Sequence, residues 1–336
     1  MKMKKVLLCV TLVLILVMTG CTRRQTDETS LGVDFASQSE MDDSTAAVRD
    51  TLSESKGKET QTQYVDPEIV DAIDGNTLGI VAQSALLYDV TDDQILVYKN
   101  IHHAVYPAST TKLLTALVAM DYIPADAVIT AGDELDLVEP NSSLAYIQKG
   151  QQLDRDTLLE ALLVPSGNDA AYIIAAYVGR IAANNQELSV TDAVNQFVLA
   201  MNQKAEQLGM KESHFSNPDG YDDAAQQVTA KDLMILAREF IKNPVLLDVV
   251  GRSNVDATFA SGEVISWENT NELIAPASVN FMDNCFGIKT GSSAASGYCL
   301  VSAASYNGNQ YISVVMNSSK EGRWSDSKTL LSYPQS

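Results

Sequence analysis

Three short segments of this 336-residue chain hold residue types that could do nucleophilic chemistry together. They are Ser109-Thr110-Thr111-Lys112, Ser166-Gly167-Asn168 and Lys289-Thr290-Gly291. A serine hydroxyl is a poor nucleophile until a base removes its proton. Residues at i and i+3 on a helix share a face, so Lys112 sits one turn beyond Ser109 and within reach of its hydroxyl. A lysine serves as that base only if its pKa falls, and burial or a nearby cation lowers it. Lys289 is the candidate cation. A helix beginning near Ser109 would also offer free N–H groups and the positive end of its dipole to an oxyanion.

Each motif alone is a weak signal, and the flanking sequence decides. Ser-x-x-Lys recurs at Ser53, Ser55 and Ser325, and Ser-x-Asn at Ser278 and Ser305. Only the Ser109 copy follows Tyr106-Pro107-Ala108 and opens an apolar run, Leu113 to Met120, which reads as a helix start. Ser166-Gly167-Asn168 interrupts two helical patterns, Thr157–Leu163 and Asp169–Val178, and reads as a tight loop between helices. Lys289-Thr290-Gly291 follows the short apolar run Phe286–Ile288 and precedes small residues, as at a strand edge leading into a turn.

The elements that must position these residues are partly legible. Ala85–Val90 and Gln94–Tyr98 flank Thr91-Asp92-Asp93, a hairpin pattern. Tyr298–Ala304 and Tyr311–Met316 flank Asn307-Gly308, a strong hairpin turn. The middle, from about 108 to 247, is mostly helical by pattern. Strands at both ends with helices between predict one antiparallel sheet closed by the two ends of the domain.

These segments carry a family resemblance. Tyr106-Pro107-Ala108-Ser109-Thr110-Thr111-Lys112 resembles the nucleophile segment of low-molecular-weight penicillin-binding proteins, the serine-type D-alanyl-D-alanine carboxypeptidases. Leu163-Val164-Pro165-Ser166-Gly167-Asn168-Asp169-Ala170-Ala171 resembles the second motif of that family, with glycine in the middle. Phe215-Ser216-Asn217-Pro218-Asp219-Gly220 resembles its Asn-Pro-x-Gly turn, and Asn269-Thr270-Asn271-Glu272-Leu273 leads into Gly287-Ile288-Lys289-Thr290-Gly291. The resemblance covers residues 66–334. It implies an α+β fold of β-lactamase/transpeptidase type: a five-stranded antiparallel sheet packed with helices, plus a helical lobe, with the site between them.

The resemblance also implies roles. Ser109 is the nucleophile, Lys112 its base, and Ser166 the proton relay to the leaving D-alanine. Asn168 orients the substrate amide. Lys289, Thr290 and Gly291 hold the substrate near its carboxylate, and the Ser109 and Ser292 N–H groups form the oxyanion hole. Arg323 resembles a family arginine whose fork suits a carboxylate. The implied substrates are peptidoglycan stem peptides, with β-lactams as acylating inhibitors. Two departures bear on substrate preference or deacylation. Gln226-Gln227-Val228-Thr229-Ala230-Lys231-Asp232 replaces a segment usually holding His and Ser-Thr-Ala, and Ser292 stands where His or Tyr is usual. Two alternatives stay open. A class A-like β-lactamase would have Ser-Asp-Asn as second motif and a deacylating glutamate. The other is a non-catalytic penicillin-binding or wall-sensing lipoprotein.

Composition sets the compartment. Lys2, Lys4 and Lys5 precede the apolar stretch Val6–Met18, and Thr19-Gly20-Cys21 follows, which is the pattern of a secretory signal. Cysteine directly after glycine resembles a bacterial lipobox, so residues 1–20 are expected to be a lipoprotein signal peptide, with Cys21 lipidated. Met18 departs from the usual leucine, and an uncleaved anchor is the alternative. Residues 22–65 are polar and too poor in apolar surface to fold, so 21–65 reads as the lipidated cysteine and a disordered tether. A tether of about 44 residues has a root-mean-square reach on the order of 35 Å. Residues 66–336 form the expected catalytic domain, held at the extracytoplasmic face of the bacterial cell membrane. Many family members add a β-rich domain and an amphipathic C-terminal anchor; here the chain stops at Ser336, and the lipid is expected to replace that anchor.

A formal net charge of −20 argues against nucleic acid as a partner. No Cys/His/Asp cluster has zinc-ligand spacing, so neither a metal nor another cofactor is expected. Cys285 and Cys299 flank the Lys-Thr-Gly segment on strands expected to be adjacent, and whether they pair depends on geometry.

Overall fold

A computed structural model describes Ile69 and residues 71–335. The leader, Cys21 and all of the expected tether lie outside the described residues. The first elements are strand β1 (Ile73–Asp74) and the hairpin of β2 (Ser84–Asp89) and β3 (Gln94–Lys99). A 3₁₀ turn, Ala108–Thr111, then runs directly into helix α1 (Lys112–Tyr122). The short strands β4 (Val128–Thr130) and β5 (Gln152–Asp154) pair with each other. They lead to α2 (Arg155–Leu163), α3 (Asn168–Ala182), α4 (Val190–Leu208), α5 (Ala230–Phe240) and α6 (Pro244–Gly251). The small hairpin β6 (Asn254–Thr258) and β7 (Val264–Glu268) follows. The chain returns through β8 (Cys285–Ser293), β9 (Gly297–Tyr306) and β10 (Asn309–Ser318) to helix α7 (Gly322–Ser332).

The main sheet has the order β1-β3-β2-β10-β9-β8. Its five long strands are antiparallel neighbours, as expected. A sixth strand was not expected: β1 adds two residues to the edge, paired parallel to β3 through Ile73 and Val97. A segment that short carries no alternating pattern to read.

Both faces of the central strands are buried, which is why they read as nearly continuous apolar runs. Leu86, Tyr88, Val301, Ala303, Val314 and Met316 project into the core shared with the helical lobe. Their alternate neighbours Leu87, Leu300, Ala304, Tyr311 and Val315 pack with Trp324, Leu330 and Leu331 of α7. The Asp326 carboxylate ties α7 to the entry of β2, accepting hydrogen bonds from the N–H groups of Val81 (3.0 Å) and Ala82 (2.8 Å).

Side-chain caps start the lobe helices. Asp154 accepts from Thr157 N at 2.7 Å, Ser189 from Asp192 N and Thr229 from Asp232 N, each satisfying an otherwise orphan donor. Asn243 caps α6, whose first residue is Pro244. Helices α3 and α4 cross closely at Gly179, where a β-carbon would sit 1.8 Å from the Ala193 carbonyl oxygen. Among the described residues, no helix is long and apolar enough to cross a membrane.

Candidate active site

Four segments converge beside the β8 edge: the turn before α1, the α2–α3 junction, the loop 215–221, and β8 itself. Ser109 lies in the 3₁₀ turn and is partly exposed, while Lys112 is fully buried. Lys112 Nζ lies 2.9 Å from Ser109 Oγ, 2.7 Å from Asn168 Oδ1 and 2.8 Å from the Asp219 carbonyl oxygen. Burial drives the Lys112 pKa down to about 8, with the charges of Asp219 and Asp169 opposing that fall. The geometry serves the ammonium, with three donors for three acceptors, and it also serves the neutral amine. Its two N–H groups go to the two carbonyl oxygens, and its lone pair then faces the Ser109 hydroxyl.

Two glycines let the nucleophile turn sit where it does. Gly220 has φ +88°, and a β-carbon there would fall 1.8 Å from the Ala108 carbonyl oxygen. At Gly291 a β-carbon would come within 3.1 Å of both Ser109 N and Pro107 O. The Ser109 N–H therefore lies against β8, beside the exposed Ser292. Ala108 and Ser166 both adopt positive φ, 45° and 65°. Residues held in such sparsely populated regions cluster at functional sites.

Ser166 is buried, and its Oγ has no hydrogen-bond partner among the described residues. Gly167 packs tightly. A β-carbon there would meet Asp169 Oδ1 at 2.6 Å, Ala161 O at 2.7 Å and Ala145 Cβ at 2.9 Å. This backbone has no room for the aspartate of a Ser-Asp-Asn motif. Asp169 is occupied in pinning the neighbouring loop, accepting from Ala145 N (2.9 Å) and Ile147 N (3.0 Å).

Asn168 is more committed than a residue reserved for substrate. Its Oδ1 accepts from Lys112, and its Nδ2 donates to Ser142 Oγ (2.9 Å) and Asp219 Oδ2 (2.6 Å). Its visible work is to hold the lysine. Asp219 is buried, and burial pushes its carboxyl up despite the lowering influence of Lys112. Neither Ser142 nor Asp219 emerged as a site residue from the sequence. The Asn217-Pro218-Asp219-Gly220 turn was the available signal, but nothing local marks its aspartate as facing a lysine.

Lys289-Thr290-Gly291 lies in the body of β8, which continues through Ser293, so the turn expected directly after the motif comes later. Lys289 is buried and Nζ donates to the Thr290 carbonyl at 3.1 Å. Burial holds its pKa well below the ordinary lysine value, and the nearby charges of Lys112 and Arg323 add to the effect. Thr290 Oγ1 lies 2.5 Å from Thr270 Oγ1, a partner the sequence did not assign. The Arg323 guanidinium is stacked 4.3 Å from the Trp324 ring and 5.1 Å from the Tyr298 ring, and its buried Nε has no partner among the described residues. Lys289 and Arg323 thus bring two desolvated basic groups near enough to feel each other's charge, with Glu272 close enough to favour the charged form of Arg323.

Two of the remaining motif copies serve local structure. Ser325 lies in α7 and donates to the Gly322 carbonyl at 3.2 Å, and Ser278 receives Asn280 N in a turn. Ser53 and Ser55 lie outside the described residues. Cys285 and Cys299 are free thiols. They oppose different residues, Ala304 and Gly291, so they are not cross-strand neighbours.

The sequence profile of a peptidase family described as D-alanyl-D-alanine carboxypeptidase matches residues 72–320. The D-alanyl-D-alanine carboxypeptidase DacD of Escherichia coli is 32% identical over 267 residues, 76% of this chain and 63% of that protein. DacF of Bacillus subtilis is 28% identical over 249 residues, 71% of this chain and 58% of that protein. The chain therefore spans about three fifths of the length of these relatives. Among solved structures, the Streptomyces K15 DD-transpeptidase superposes with a TM-score of 0.69 at 29% identity, covering 76% of this chain and 97% of that one. Penicillin-binding protein D2 of Listeria monocytogenes, in its ampicillin-bound form, gives 0.62 at 25% identity, covering 76% and 98%. With the match spanning the nucleophile turn, the second motif and β8 alike, the chain belongs to the D-alanyl-D-alanine carboxypeptidase family.

Proposed function

We propose that this protein is a serine D-Ala-D-Ala carboxypeptidase that removes the terminal D-alanine from peptidoglycan stem peptides. The observation that carries the reading is the buried Lys112 amine, 2.9 Å from Ser109 Oγ with a pKa brought to about 8. Ser109 Oγ attacks the carbonyl between the two D-alanines as Lys112 Nζ takes its proton. The oxyanion is received by the N–H groups of Ser109 and Ser292; one such donor is typically worth roughly a hundredfold or more in rate. Ser166 relays the proton held by Lys112 to the departing D-alanine amine, giving its own and taking the lysine's, which leaves Lys112 neutral again. The terminal carboxylate rests against Lys289, Thr290 and Arg323. Water, activated by the same lysine, then cleaves the acyl-enzyme. Penicillins acylate Ser109 by presenting their lactam carbonyl in the same way.

The tight packing around Gly167 favours this reading over a class A-like β-lactamase, because no Ser-Asp-Asn motif fits there. The unencumbered Ser109–Lys112 pair favours it over a silent sensor. The Streptomyces K15 neighbour bears the name transpeptidase, which motivates a second reading: an amine rather than water resolves the same acyl-enzyme. We place the mature protein at the extracytoplasmic membrane face through a lipid on Cys21, a reading supported by the Lys2–Cys21 leader pattern.

The test is D-alanine release from diacetyl-L-Lys-D-Ala-D-Ala by the full-length chain beside Ser109→Ala. Release that vanishes in the variant supports the proposal. Slow labelling by fluorescent penicillin with no release supports a sensor, and rapid nitrocefin turnover supports the β-lactamase. Palmitate incorporation that disappears in Cys21→Ser tests the anchor.

A further inference from the structure

A loop and a strand end close on the nucleophile turn from two sides. Gly220 lies against the Ala108 carbonyl, where a β-carbon would come to 1.8 Å. Gly291 lies against Ser109 N and Pro107 O, where one would come to 3.1 Å. Two residues beyond each of these contact points the two segments meet again. Asp222 Oδ1 accepts from Ser293 Oγ at 2.6 Å, and Asp222 Oδ2 accepts from Ala295 N at 3.3 Å. The first is a charge-assisted bond of the short, strong class that a hydroxyl makes to a carboxylate. The nucleophile turn, residues 220–222 and residues 291–293 thereby form a closed ring, and Asp222 is its fastening.

Each half of the ring is braced within itself. On the lobe side, Asn217 Oδ1 accepts from Gly220 N (2.8 Å), and Asn217 Nδ2 donates to the Tyr221 carbonyl (2.9 Å). Gln226 Oε1 accepts from Ser216 N and Asn217 N. On the sheet side, the turn from β8 into β9 is held by buried Ser296, whose N–H donates to Ser293 Oγ at 2.9 Å. The exposed Asp222 carboxylate crosses from one half to the other.

Ser292 sits inside the ring. It lies between Gly291, which abuts the nucleophile turn, and Ser293, which Asp222 holds. β8 is an edge strand, with a ladder to β9 on one side and no neighbouring strand on its cleft side. Its last residues therefore need another anchor if an N–H there is to keep a fixed place. Oxyanion donors act at about 2.7–3.1 Å from the developing charge, so a small drift of that N–H is felt in the rate.

We propose that Asp222 is a positioning residue for the oxyanion hole: its carboxylate clasps the end of β8 to the loop carrying Gly220, and so fixes the separation of the Ser109 and Ser292 N–H groups. Asp222 touches no reacting group itself. A bound, neutral peptide carbonyl tolerates a shifted donor, whereas the oxyanion does not, so the clasp acts on acylation and leaves binding alone. The inference rests on the proposed attack by Ser109 and adds a residue to the machinery that performs it.

The test is the rate constant for acylation of Ser109 by saturating fluorescent penicillin, normalised to the number of sites labelled. It is measured in the full-length chain, Asp222→Ala, Ser293→Ala and the double variant. Asp222→Ala is expected to lower it about tenfold, less than the roughly hundredfold typical of a donor removed outright. Ser293→Ala lowers it by less, because Ala295 N keeps its partner. The double variant is no slower than Asp222→Ala, since two halves of one clasp do not act independently. Asp222→Asn keeps an oxygen for Ser293 and recovers part of the rate. A loss of folding would reduce the number of labelled sites and leave the rate constant of the remainder alone. Calorimetric binding of the D-Ala-D-Ala peptide to Ser109→Ala is expected to be the same with and without Asp222→Ala. A rate unmoved by Asp222→Ala, losses that multiply in the double variant, or peptide binding weakened as much as the rate overturns the clasp; D-alanine release by the unaltered chain then still supports the carboxypeptidase reading. Acylation that depends on Asp222 in a chain that releases no D-alanine supports the clasp and overturns the carboxypeptidase reading. A chain that neither takes up penicillin nor releases D-alanine overturns both.

Discussion

Asp219 acts on Lys112 through two different atoms: its main-chain carbonyl accepts a hydrogen bond from the lysine at 2.8 Å, and its carboxylate accepts one at 2.6 Å from Asn168, whose Oδ1 accepts from the same lysine at 2.7 Å. One buried residue therefore both orients Lys112 and opposes the fall of its pKa. Burial alone would depress the lysine further, and the Asp219 charge moderates that fall.

As the proposed base, Lys112 must be neutral to take the Ser109 proton, so on that proposal its protonation governs the rate. Below a pKa of about 8, the neutral fraction falls tenfold for each pH unit. The second-order rate of acylation by a fluorescent penicillin is expected to rise with pH and level off above about 8. Measurement between pH 6 and 10 checks it; a flat profile would remove Lys112 from the role of base.

Substituting Asp219→Asn deletes the charge but keeps an oxygen able to accept from Asn168. Since the Asp219 charge raises the lysine's pKa, its loss lowers it. The rising limb of the acylation profile is expected to move to lower pH. A limb that stays in place would assign Asp219 to packing alone.

Gly220→Ala inserts a methyl group into the Ala108 carbonyl at a backbone conformation unsuited to alanine. The cost is expected to be about 3 kcal/mol, or roughly 5–10 °C in Tm. Acylation is expected to fall further than stability, because the residue displaced lies next to the nucleophile. Scanning calorimetry and penicillin labelling together separate the two effects.

Arg323→Lys keeps the positive charge but loses the planar fork stacked between Tyr298 and Trp324. KM for the D-Ala-D-Ala peptide is expected to rise about tenfold, the scale of one charge-assisted hydrogen bond. The pH limb set by Lys112 is expected to stay where it is. Steady-state kinetics at several pH values check both.

What the sequence disclosed depended on how local the cause was. The Asn307-Gly308 turn and its flanking strands were legible because a two-residue hairpin fixes its own register. Ser109 and Lys112 were legible because three residues on one helical turn set their spacing. Ser142, Asp219 and Thr270 were not, since each is an ordinary loop polar residue until the fold brings another segment against it. The cysteines show the same limit. Their nearness in sequence suggested facing positions, but the register of β8 on β9 puts Gly291 opposite Cys299 and Cys285 opposite Ala304, several residues apart along the strands. The glycine within the second motif was read as part of a pattern; its reason, the crowding by Ala145, Ala161 and Asp169, is tertiary.

The bonds that join the two ends of the main sheet govern the order in which the chain matures. Gln310 N reaches Thr91 Oγ1 across 219 residues, and Asp326 reaches Val81 across 245. As the polypeptide emerges from its N-terminal end, β2 has no partner on its β10 side until almost everything else has been made. Pairings so remote are slow to close. The helical lobe is contiguous in sequence and is free to collapse earlier, yet it holds the nucleophile turn without the β8 strand that completes the cleft. The cleft is therefore completed late, and an interrupted chain is left with open strand edges.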